Sequence, residues 1–151
     1  MRRKINLPDE LPAEEGDANL RAAFALLLPI RRQRLRRSER QQRQHEQQLT
    51  QLQSAQRDAE QQLTQRRAAY QTLRDGFDET HLGRQPLTDL QRGLQQEQRA
   101  AEALQRQRQA LSDCVTQCDA QSEQLAAARA ETRLRQRELE KLEMLMQEMP
   151  S

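Results

Sequence analysis

From Leu49 to Phe77 the chain repeats an interval of three then four: Leu49, Leu52, Gln56, Ala59, Leu63, Arg66, Tyr70, Leu73, Phe77. Beyond Pro86 an alternation of the same kind runs Leu90, Leu94, Glu97, Ala101, Leu104, Arg108, Leu111, Val115, Cys118, Ser122, Leu125. Such a stripe, kept over several heptads, is the mark of helices that bury one narrow seam against a partner. Little else in the chain offers a core. Only 34% of its 151 residues are hydrophobic, Trp is absent, Tyr occurs once and Phe twice, while 32% are charged. A layered globule would lack material for its interior, which leaves disorder or long helices. The abundance of Arg (23) and Gln (26), with Glu, Ala and Leu and only four Gly, favours helices, because these side chains lose little rotamer freedom there.

Prolines stand at 8, 12, 29, 86 and 150, leaving two long proline-free runs, 30–85 and 87–149. Proline removes a backbone donor and clashes with the preceding turn, so a break is expected near Pro86. A break this short lets the second helix turn back on the first. The expected fold is all-α, a long antiparallel two-helix coiled-coil hairpin. Residues 1–19 form a mobile acidic extension in this reading, 20–80 the first helix, 81–87 the connecting loop and 88–149 the second helix.

The register can be tested within the sequence. Folding about Gly83 and Arg84 sets Phe77 against Leu90, Leu73 against Leu94, Leu63 against Leu104, Leu52 against Val115 and Leu49 against Cys118. Arg66 then lies opposite small Ala101, Arg108 opposite small Ala59, and Tyr70 opposite Glu97, whose carboxylate can accept its hydroxyl. Gln56 against Leu111 is the poorest match. A slide of one heptad would set Arg66 against Arg108, which like-charge repulsion disfavours. Local signals in THLGRQPLT agree: Gly83 permits positive φ, Pro86 stops the first helix, and Thr88 with Gln91 has the capping-box pattern. Each arm of about 60 residues would be roughly 90 Å long.

Net charge is only +2, but charge is segregated. Residues 9–17 carry five acids, 31–43 carry seven Arg against Glu39, and 138–148 carry four Glu against Lys141. In the antiparallel register the arginine block lies beside Glu138, Glu140, Glu143 and Glu148, which partly match its charge. Cys114 and Cys118, four apart on one helix, are poorly placed to bridge and read as small residues on or beside the seam. Residues 22–30, AAFALLLPI, are too short to span a bilayer and follow an acidic segment, so no secretory signal is expected and the protein is placed in the cytoplasm.

No phosphate loop, GxGxxG, HExxH, GxSxG or CxxC occurs, and no Cys/His cluster has metal-ligand spacing. His45 falls on the seam and His81 in the turn, both structural in this reading. No catalytic residue, metal or cofactor is expected, and the chain is read as a non-enzyme. Seven arginines can offset phosphate charge, yet no aromatic stacking residue or reading motif accompanies them, so no nucleic-acid partner is expected. AAFALLLPI beside arginines has the look of an interfacial anchor, but it is short and Pro29 interrupts or starts the helix there. A protein-binding surface accounts for more. Leu26, Leu27, Leu28 and Ile30 on one arm, and Leu142, Met144, Leu145, Met146 and Met149 on the other, exceed what the seam consumes. A plain alternative is that they close the end of the coiled coil.

The opening LLLPIRRQRLRRSER (26–40), the mid-chain GRQPLTDLQ (83–91) and the close RELEKLEMLMQEM (137–149) together resemble the YscO/HrpO family of type III secretion proteins, injectisome relatives of the flagellar protein FliJ. The likeness covers about 20–149; residues 1–19 depart from it, since family members begin near the leucine-arginine stretch. The resemblance implies a central stalk that engages the hexameric export ATPase, contacts the export gate protein and escorts secretion chaperones at the cytoplasmic face of the bacterial inner membrane. It would place Arg31, Arg34, Arg36 and Arg37 at the ATPase contact, with Leu27, Leu28 and Leu145 as apolar anchors. A generic coiled-coil adaptor or scaffold is the alternative, with a basic nucleic-acid-binding helix ranked behind it, and self-association through the apolar end stays open.

Overall fold

The computed structural model describes residues 13–80 and 86–149. All secondary structure among them is helical: α1 is Ala13–Thr80 and α2 is Leu87–Glu148, and the two long helices pack against each other as a helical hairpin would. The residues fall into two compact units. A terminal unit combines α1 up to His45 with α2 from Leu125 on, and a central unit comprises 46–124.

α1 begins at Ala13, so part of the expected 1–19 extension is helical; residues 1–12 lie outside the described residues. Pro29 neither starts nor interrupts the helix, contrary to expectation. Its ring removes the donor that would serve the Ala25 carbonyl. Both Pro29 and Ala25 are exposed, so water can serve that oxygen instead. The start of α2 also differs. The Pro86 carbonyl accepts from the Asp89 N–H at 3.0 Å and the Leu90 N–H at 3.2 Å, which makes Pro86 the capping position. Thr88 therefore lies inside the first turn rather than at the cap, and Leu87, expected in the loop, is helical. Asp89 in that turn complements the positive helix end. Gly83, the expected turn residue, lies outside the described residues.

In the central unit Ala59, Leu104, Cys118 and Gln121 are buried, flanked by half-buried Leu49, Leu52, Gln56, Leu63 and Tyr70. On α1 this is the expected seam, except that Arg66 is exposed and Leu73 remains 37% exposed. On α2 alternate positions shift by one. Leu94 is 50% and Val115 38% exposed, and Arg108 and Ser122 also face water. Gly93, Gln107, Cys114 and Gln121 take their places. The reason lies farther along the helix. The line through Leu94 and Val115 continues into Arg129, Gln136 and Glu143, whereas the line through Cys114 continues into Ala128, Arg135, Leu142 and Met149. Among the described residues Leu142 is the most deeply buried, at 1% exposure. A regular helix presents one continuous stripe, and the line that ends on Leu142 prevails. Gln107 also gains a bond that Arg108 would not need to make: its amide donates to the Ala59 carbonyl at 3.1 Å. Arg108 keeps its guanidinium in water, avoiding a desolvation cost.

The expected Tyr70–Glu97 hydrogen bond is not formed among the described residues, although both side chains line one shallow cleft with Leu94, Gln98 and Ala101. Gln56 turns along its own helix to Glu60, at 3.2 Å, which relieves its poor match with Leu111.

The terminal unit has a mixed core. Leu125, Thr132 and Leu142 of α2 and Ser38 of α1 are buried, and Phe24, Leu28, Leu35 and Leu139 are half-buried. Thr132 satisfies its hydroxyl on the Ala128 carbonyl, at 3.0 Å.

Candidate functional site

The leucine-arginine stretch lies within α1 of the terminal unit, and its side chains part company by helical phase. Leu27, Leu28 and Arg31 are half-buried, whereas Leu26 (73% exposed), Ile30, Arg34, Arg36 and Arg37 face solvent. On α2, Met144 and Leu145 are exposed while Leu142 fills the core. All seven expected contact residues, Leu27, Leu28, Arg31, Arg34, Arg36, Arg37 and Leu145, thus belong to one unit, but they are not equivalent.

Arg31 is a packing residue as much as a surface charge. Its Nη1 donates to the main-chain carbonyl of Glu138 at 2.8 Å, joining α1 to α2. The Glu138 carboxylate goes elsewhere: it accepts from Arg135 Nη1 at 3.1 Å, while Arg135 Nε and Nη2 hold Glu131 Oε1, each at 2.8 Å. The expectation that acids of α2 would match the arginine block is therefore corrected for Glu138. These bonds, Glu138 first, raise the Arg135 pKa above its ordinary value and keep its guanidinium charged and oriented. Sequence reasoning passed over Arg135. Its signal was present as acids four before and three after an arginine, the spacing of neighbours on one helix face.

Beside this network a cleft of about 280 Å³ is lined by Arg34, Arg37, Ser38 and Gln41 of α1 and by Glu131 and Arg135 of α2. A second, of about 390 Å³, lies along α2 among Arg133, Gln136, Arg137 and Glu140. Burial, reinforced by Cys114 and Asp119, pushes the Cys118 thiol pKa up, which disfavours the reactive thiolate. Among the described residues no three His, Cys, Asp or Glu side chains cluster as a metal site. No helix among them is long and apolar enough to cross a membrane. The chain matches no known protein family, no characterised protein and no solved structure.

Proposed function

We propose that this chain is a non-enzymatic central-stalk component of a bacterial type III secretion system, folded as an antiparallel coiled-coil hairpin. Its terminal unit would enter the ring of the hexameric export ATPase. Its far end would face the export gate protein and secretion chaperones, at the cytoplasmic side of the inner membrane. Support for the antiparallel pairing comes from the heptad spacing of buried residues and from the bonds Arg31 to Glu138 and Gln107 to Ala59, each close to the register derived above.

The observation that carries the functional reading is the exposure, within one unit, of Leu26 and Ile30 beside Arg34, Arg36 and Arg37, together with Met144 and Leu145. Apolar anchors edged by arginine suit a protein partner, and an acidic ring pore would draw such a surface in. Replacing Arg34, Arg36 and Arg37 together by Glu should abolish co-purification with the export ATPase and stimulation of its turnover. Because these side chains are exposed, helicity should be unchanged. Undiminished stimulation by the folded variant would overturn the proposal in favour of a general coiled-coil adaptor. Arg31 needs its own variant, since Arg31→Ala also removes a bond between the helices.

A further inference from the structure

We propose that the cleft lined by Arg34, Arg37, Ser38, Gln41, Glu131 and Arg135 is a binding site for a phosphate group, free or at the end of a phosphate ester. The stalk reading does not require such a site.

Charge comes first. The lining holds three guanidinium groups and one carboxylate, and that carboxylate is already held by Arg135. Glu138, behind Arg135, offsets one positive charge, while Arg31 donates to a neutral carbonyl and supplies another. A surplus of about two positive charges faces a small volume. Arg34 and Arg37 are three apart on one helix, so their like charges are neighbours and repel until an anion lies between them.

Geometry points the same way. Arg135 is fixed through all three nitrogens and still has N–H donors to spare, since a guanidinium carries five. Its orientation is thus set before any anion arrives. Ser38, only 5% exposed, places a hydroxyl at a seam position where an apolar side chain would otherwise be favoured. Gln41 adds an amide donor. At about 280 Å³ the cleft falls just short of the ~300–1,000 Å³ typical of pockets that enclose a drug-sized ligand. A tetrahedral oxyanion fits this size, and forked guanidinium donors suit its oxygens.

The test is a calorimetric titration of the full chain with inorganic phosphate at low chloride, repeated with ATP. Saturable binding is expected with a dissociation constant on the order of 1 mM or tighter. It should tighten as pH rises from about 5.5 to 7.5, because a phosphate gains its second negative charge there. Arg34→Gln with Arg37→Gln should weaken it about tenfold or more. Arg32→Gln, an exposed neighbour outside the lining, should change it less than about twofold. ATP competing through the same two arginines would identify a phosphate ester as ligand, and binding of inorganic phosphate alone would identify the free anion. No saturation by about 10 mM phosphate, or equal loss in the Arg32 variant, would overturn the site. Since no ATPase is present, failure here leaves the stalk reading intact, and failure of that reading leaves this one.

Discussion

At the residue scale, the division of labour within the leucine-rich stretches is sharper than their composition suggests. Leu142 is 1% exposed and Leu26 is 73% exposed, although both belong to runs that look alike as sequence. Truncating a fully buried leucine loses its transfer energy and leaves a cavity. Leu142→Ala should therefore destabilise the fold by about 2–5 kcal/mol, whereas Leu26→Ala should stay within about 0.5 kcal/mol. Urea unfolding followed by circular dichroism reads both. Leu26→Ala should instead weaken partner binding, which separates the two roles. The arginines sort in the same manner. Arg31 spends one donor on a main-chain oxygen, and Arg135 spends one from each nitrogen on Glu131 and Glu138, whereas Arg34, Arg36 and Arg37 are exposed charges of the candidate surface. None of this sorting is visible in a count of arginines, because it depends on which neighbour each long side chain can reach.

At the scale of elements, what could be read from the sequence depended on contrast between adjacent residues. Leu104, Cys118 and Leu125 stand among polar residues and small alanines, and their places in the seam follow from spacing alone. At Gly93–Leu94, Gln107–Arg108 and Cys114–Val115 either residue keeps the alternation of three and four. The expected residue was the more apolar one at Leu94 and Val115 and the arginine at Arg108; each faces water, because the helix phase is set by Leu142 and its neighbours farther on. The cap of α2 was misplaced for a related reason: Thr88 has the favoured side chain, but Pro86 has the carbonyl in position. Pro29 offers a direct test at this scale. Proline inside a helix costs about 3 kcal/mol relative to alanine. Pro29→Ala should slow amide exchange across the flanking turns, the gain staying below that figure because Pro29 is exposed. Unchanged exchange there would mean that the proline is not weakening α1.

At the scale of the whole molecule, the accessible surface is 12055 Å², against roughly 8,000 Å² for a compact protein of this mass. The chain buries little surface for its length. Denaturant sensitivity follows surface newly exposed on unfolding, so the urea m-value should fall toward the low end of about 1–3 kcal/mol/M. A value typical of a compact domain of equal length would show that more surface is removed from water, as by self-association through the exposed leucines and methionines. Repeating the titration over a range of protein concentrations separates those cases, since an oligomer's midpoint moves with concentration.

Two of the bonds that tie the helices, from Arg31 in one unit and from Gln107 in the other, both end on main-chain carbonyls, those of Glu138 and Ala59. Every residue carries that acceptor. The acceptor's side chain can therefore change without dissolving the bond, provided it leaves the donor room. Half of each tie leaves no spelling in the sequence, and mutation is free to erase the letters around it while the pairing persists.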